Sequence, residues 1–226
     1  MSAVQAIIFD LDGTLTNTMP FHARAWQLAF QKRHGVRVES LEAYLHEGEK
    51  AEEFGKYLYK KYLNRDGKPE ELAEITEFYK RELAAIFVLR FFPGALELVS
   101  LLVKKGYRLG LVSGSKSVHT LFGEHIGHLE AFAAVVSGDD TSIGKPAPDP
   151  YLRASELLQI APSECLAIEN APFGIRSAVA AGMQCWAVLN DSPVPGEELL
   201  AAGATKLLEQ IADLAGQLPA RDGASA

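Results

Sequence analysis

The sequence predicts an α/β fold, a parallel sheet covered by helices with a helical segment inserted after the first strand. Three observations lead there. Several short apolar runs end in Asp, Ser, Gly or Asn, amphipathic helical patterns lie between them, and residues 19–90 contain no convincing strand. Continuous apolarity marks strands covered on both faces, as in a parallel sheet. Strands alternating with helices make a layered α/β domain.

The first run, "VQAIIFD" at residues 4–10, is the opening strand. Three amphipathic stretches follow: "FHARAWQLAFQKRHG", "EEFGKYLYKKYLN" and "PEELAEITEFYKRELAAIF". A structureless loop of that length would be out of place in a compact domain. The stretch therefore reads as an α-helical cap over residues 19–89, set into a core made of residues 1–18 and 90–226. The joints "TNTMP" and "RFFPG" are short and suit a hinge. Beyond them a helix is expected over residues 94–105, then strands in "YRLGLVSG" and "FAAVVSGD". A helix over residues 148–158 leads to the strand in "ECLAIEN", and one over residues 172–181 to the strand in "MQCWAVLN". Proline opens the last two helices, where its missing N–H costs nothing. The tail "PARDGASA" should fray.

With 226 residues, 48% of them apolar, the chain can fill a large core. No apolar run approaches the roughly 18 residues of a membrane span, and no secretory leader pattern precedes the first strand. A cytoplasmic protein without a membrane partner is the expectation, as a monomer. The formal net charge of −7 and the lack of a Lys/Arg run argue against a nucleic-acid partner. Cys165 and Cys185 each sit in an apolar segment and read as buried thiols rather than a disulfide.

Ligands of open parallel sheets bind beyond the carboxyl ends of the strands. Four such ends carry polar chemistry: Asp10 and Asp12 in "DLDGT", Ser113 in "LVSGSKS", Lys145 in "IGKPAPDP", and Glu169-Asn170 in "ENAPFG". Singly, each has an ordinary reading: an acidic turn, a helix cap, a solvated lysine. Together they make two carboxylates, a hydroxyl, a lysine and a pair suited to a metal.

These four motifs, in this order and with a helical cap after the first, resemble the haloacid dehalogenase superfamily in its β-phosphoglucomutase-like branch. The resemblance implies a Rossmann-like parallel sheet core and phosphoryl transfer. Asp10 would be the nucleophile that becomes an aspartyl-phosphate, and Asp12 the general acid and base. Mg²⁺ would be held by the Asp10 carboxylate, the Asp12 backbone carbonyl, Glu169 and Asn170, since a hard cation prefers oxygen. Gly13 would allow the sharp turn. Ser113 and the N–H groups after it, at Gly114 and Ser115, would bind phosphoryl oxygens, with Lys145 neutralising their charge. The family pattern has Glu-Asp where this chain has Glu169-Asn170, so one metal ligand would be neutral.

The cap speaks to substrate. His22 falls where the mutase branch has a histidine facing the sugar phosphate. The mutase's cap arginine and lysine map to Ala51 and Ile75, so the fixed positive charge for a second phosphate is missing. Glu47, in "HEG", stands in its place. The pairing of "HEG" with "ENAP" resembles phosphohydrolases active on inorganic pyrophosphate, and Ser115 and Lys116 would meet a leaving phosphate. The expected partner is a small phosphorylated substrate or pyrophosphate. The alternatives are a β-phosphoglucomutase, and a phospho-ligand binder that lost turnover through Asn170.

Overall fold

The computed structural model describes residues 4–115 and 129–221. Six parallel strands form one sheet: β1 (Ala6–Asp10), β2 (Arg108–Val112), β3 (Ala134–Val136), β4 (Cys165–Glu169), β5 (Gln184–Val188) and β6 (Lys206–Leu208). Their order is β3-β2-β1-β4-β5-β6. Every residue of β1 and β4 is buried, which explains why their sequences are apolar without alternation. The chain lays strands on one side of β1, then crosses to the other side, so the switch point lies between β1 and β4. The registers bring the strand ends level: Asp10 pairs with Val112, and Phe9 with Ile168. Residues 10, 113 and 169 therefore leave the sheet side by side.

Four helices fill the segment after β1: α1 (Met19–His34), α2 (Ser40–Leu45), α3 (Ala51–Leu63) and α4 (Pro69–Ile86). They have a core of their own, with Trp26, Phe30, Phe54, Leu58 and Ile75 all buried. The chain's exit from this segment pairs with its entry. Asn17 N–H donates to Arg90 O at 2.7 Å and Phe92 N–H to Leu15 O at 2.9 Å. The two joints thus form one narrow antiparallel connection.

The sheet is covered by α5 (Ala95–Lys104), α6 (Asp149–Leu158), α7 (Pro172–Ala180) and α8 (Gly196–Ala201). Ile7, Phe9, Leu111 and Ile168 pack with α5 and the 3₁₀ turn Ile211–Gly216 on one face. Ile8, Val112, Tyr151 and Ala167 pack with α6 and α7 on the other. Cys165 and Cys185 are free and buried. The strand β6 and the helices α2 and α8 were not expected from sequence. None exceeds six residues, and none is marked as β3, equally short, is marked by the polar Ser-Gly-Asp that follows it.

Candidate active site

The turn after β1 is tightly wound. Thr14, Leu15 and Thr16 N–H all donate to Leu11 O, and Gly13 N–H donates to Thr16 O at 2.7 Å. Gly13 has φ +93°, and a Cβ there would lie 2.2 Å from Asn170 Nδ2, so only glycine fits. From the far side, Asn190 at the end of β5 donates to both Gly13 O and Thr14 O at 3.1 and 2.9 Å. Its own oxygen accepts from Ile211 N–H.

This turn sends the two aspartates to different company. Asp12 accepts hydrogen bonds from Thr18 Oγ1 at 2.5 Å, Ser113 Oγ at 3.3 Å and Ser115 Oγ at 3.2 Å. His22 Nε2 lies 3.6 Å from it. Burial alone would raise the Asp12 carboxyl, but His22 and the Thr18 and Ser115 hydroxyls outweigh it and hold the group at about 2. Asp10, fully buried, receives Lys145 Nζ on Oδ1 at 2.6 Å. Burial pushes its pKa up to about 8; Lys145 opposes the rise and neighbouring Glu169 adds to it.

Lys145 also donates to Glu169 Oε1 at 2.6 Å, so one buried ammonium serves two buried carboxylates. The Lys145 pKa is raised well above its usual value: burial works against the charge, but Asp10, Glu169 and Glu47 prevail. Glu169 is also held by Tyr151 OH at 2.7 Å and by Asn170 N–H at 3.0 Å. Gly174, on α7, leaves its space to the Glu169 carboxylate, since a Cβ would stand 1.8 Å from Oε1.

The helical segment contributes Glu47. It is buried, and its carboxylate lies within 4.8 Å of the oxygens of Asp10 and Glu169. Burial and then Asp10 push its carboxyl well above the usual range. Next to it Gly48, at φ +80°, passes so close to the core that a Cβ would meet Lys145 Cδ at 2.4 Å. His46 packs edge-on against Phe173 of α7, ring centres 4.8 Å apart.

Magnesium, which the resemblance implies, fits this donor set. Asp10, Glu47 and Glu169 present three converging carboxylates, and Asp10 Oδ2 and Glu47 Oε2 are buried without a hydrogen-bond partner. Three carboxylates facing one ammonium leave negative charge that a hard divalent cation would balance. The Asn170 amide oxygen accepts from Thr14 Oγ1 at 2.9 Å.

Ser113 is buried and Ser115 partly so, and Ser113 Oγ accepts from Ser115 N–H. Gly114 lies against Gly48. Lys116 lies outside the described residues. His22 Nδ1 is 2.7 Å from Tyr79 OH, and Tyr79 stacks on Trp26 at 4.3 Å. These aromatics, with Glu47, Lys50 and Thr76, line a cavity of about 620 Å³ that opens onto Asp12 and Ser115. Sequence reasoning missed Thr18, Tyr151, Tyr79 and Lys50. Tyr151 alone had a signal, being placed on the helix that directly follows the Lys145 motif.

The family model for haloacid dehalogenase-like hydrolases matches residues 4–182. Hexitol phosphatase A of Escherichia coli is 31% identical over 191 residues, 84% of this chain and 86% of that one. The β-phosphoglucomutase of Bacillus subtilis is 29% identical over 92% of this chain and 93% of its own length. The solved structure of a candidate β-phosphoglucomutase from Bacteroides vulgatus superposes with a TM-score of 0.85 at 32% identity, covering 95% of this chain and 87% of that one.

Proposed function

The chain belongs to the haloacid dehalogenase-like hydrolases, and from that premise we propose that it is a Mg²⁺-dependent phosphohydrolase whose substrate is a small phosphate, inorganic pyrophosphate first. Helices α1–α4 are its cap. The observation that carries the reading is Glu47, a cap carboxylate buried against Asp10 and Glu169. A mutase must hold a second phosphate in the cap and needs fixed positive charge there. A third carboxylate does the opposite for a bare anion. It favours a substrate that enters with a divalent cation, as pyrophosphate does.

Asp10, Glu47 and Glu169 would hold Mg²⁺, which supplies charge neutralisation for the phosphoryl group when bound. A cation beside Asp10 would offset the burial that raises its pKa, so that the carboxylate attacks phosphorus. The anionic substrate beside Asp12 raises its low pKa, and Asp12, protonated as the substrate binds, gives its proton to the leaving oxygen as the bond to phosphorus breaks. Water then attacks the aspartyl-phosphate, Asp12 takes its proton, and the Asp10 carboxylate is restored as phosphate departs. Ser113 and the Gly114 N–H bind the phosphoryl oxygens, while the Ser115 N–H is turned to Ser113 Oγ and holds that hydroxyl in place. Lys145 keeps Asp10 oriented through its 2.6 Å contact and screens it from Glu169. Thr18, Ser115 and His22 aim Asp12 at the substrate from three sides.

A second reading has its own observation. The cavity of about 620 Å³, walled by Trp26, Tyr79 and His22, exceeds what pyrophosphate fills and suits a phosphorylated sugar or polyol. The similarity to hexitol phosphatase A points the same way. Phosphate release from pyrophosphate, a hexitol 6-phosphate and an aryl phosphate, with and without Mg²⁺, separates the two. Faster release from pyrophosphate supports the first reading, and preference for the hexitol phosphate replaces it with the second. Conversion of β-glucose 1-phosphate to glucose 6-phosphate faster than any phosphate release would make the protein a mutase.

A further inference from the structure

Three residues beyond Glu47, the cap reaches the core a second time. Lys50 Nζ donates to Ser142 O at 2.5 Å and to Thr141 O at 3.3 Å, two backbone carbonyls of the core loop after β3. The loop is braced before the lysine arrives: Asp140 Oδ2 accepts from Ser137 N–H at 2.7 Å and from Ser137 Oγ at 2.6 Å. The lysine stem crosses Gly144, where a Cβ would stand 3.3 Å from Lys50 Cγ and 3.5 Å from Cε. A side chain there would crowd the stem. Between the two reaches, Gly48 rests on Lys145 and Gly114. Residues 46–50 thus lie along the core as a strap, with His46 on Phe173 at one end and Lys50 on the carbonyls at the other.

We propose that Lys50 is a positioning residue that latches this strap and so holds Glu47 at the Asp10–Glu169 carboxylates. Burying Glu47 beside two other carboxylates is unfavourable; Lys145, already shared by those two, offsets only part of this, and the strap opposes the rest. The ammonium-to-carbonyl bonds are charge-assisted and stronger than neutral ones. Backbone carbonyls cannot be lost by side-chain rotation, so the latch closes on a fixed target. Lys50 acts through Glu47 and touches none of the reacting groups. The part of the inference that concerns metal rests on the reading of Asp10, Glu47 and Glu169 as the Mg²⁺ site; the latch itself does not.

Two measurements test it on the full chain. The first is hydrogen exchange of residues 46–50 in the metal-free protein, for wild type, Lys50→Met and Lys50→Arg. Lys50→Met keeps the stem and removes the ammonium. It should speed exchange across the strap by about tenfold, the scale of one charged hydrogen bond, while Lys50→Arg recovers part of the protection. Unchanged exchange in Lys50→Met overturns the latch, whatever the enzyme hydrolyses. The second is calorimetric Mg²⁺ titration of wild type, Lys50→Met, Glu47→Gln and the double variant. Lys50→Met should weaken Mg²⁺ binding by about tenfold in wild type and little in the Glu47→Gln background, because coupled residues are non-additive. Equal weakening in both backgrounds shows that Lys50 does not act through Glu47. A wild type that hydrolyses nothing while Lys50→Met still loosens the strap defeats the proposed function and leaves the latch standing.

Discussion

At the level of single residues, Asp10 and Asp12 show how two identical side chains two positions apart acquire different chemistry. Asp10 is buried between a lysine and a glutamate, and Asp12 is ringed by hydroxyls and His22. Asp10→Asn should abolish turnover with the fold retained, because an amide cannot attack phosphorus. Turnover within about tenfold of wild type would assign the attack to another residue. Asp12→Ala should slow turnover by on the order of 10²–10⁴, the usual weight of a general acid–base group. Mg²⁺ affinity should fall less than in Asp10→Asn, and an equal fall in the two variants would contradict the division of labour. Glu47→Ala should lower pyrophosphate turnover more than aryl phosphate turnover. If the ratio of the two rates does not move, Glu47 selects nothing.

At the level of elements, the turn after β1 depends on a residue just beyond another strand, β5. The side chain of Asn190, a residue at φ +46°, makes three hydrogen bonds, donating to the two turn carbonyls and accepting from Ile211 N–H. Asn190→Ala leaves those groups buried and unpaired and puts alanine in a left-handed conformation. The expected cost is about 2–4 kcal/mol, read by denaturant unfolding. In the helical segment, Glu42 on α2 is buried and accepts from Lys61 Nζ and from Tyr57 OH at 2.7 Å. Burial raises its carboxyl, yet these donors prevail and the folded pKa lies below the ordinary value of 4.5. A depressed carboxylate contributes stability that is present above the unfolded pKa and lost as pH falls through the folded one. Glu42→Gln should therefore flatten the loss of stability below about pH 4.5. A variant that unfolds in acid just as wild type does would remove Glu42 from the account.

At the level of the molecule, the three carboxylates meet where the sheet and the helical segment touch. Asp10 and Glu169 come from adjacent strands, Glu47 from the helical segment, and the narrow pairing of residues 15–17 with 90–92 joins the two parts. A cation bound by all three carboxylates stabilises the folded protein and not the unfolded chain. Mg²⁺ at about a hundred times its dissociation constant should add about 2.7 kcal/mol, raising the melting temperature by about 5–10 °C. Asp10→Asn should shrink that rise. A melting temperature indifferent to Mg²⁺ would deny the cluster its metal. Among the described residues no helix is long and apolar enough to cross a membrane.

The α/β architecture, the helical insert and the four polar strand ends are legible in the sequence. Each of these is written locally, in apolar runs of strand length, helical periodicity and motifs a few residues long. Short elements without a polar end to mark them, α2, α8 and β6, escaped that reading. Tertiary structure alone decided which oxygens face one another. That Glu47 joins Asp10 and Glu169, while the Asn170 oxygen turns to Thr14, depends on the strand order and on where the cap settles. Tyr151 on Glu169 and Lys50 on the carbonyls of residues 141 and 142 are contacts between elements far apart in the chain. A local pattern fixes which face a side chain shows, but its partner is set by packing among elements, and charge placement follows the partner.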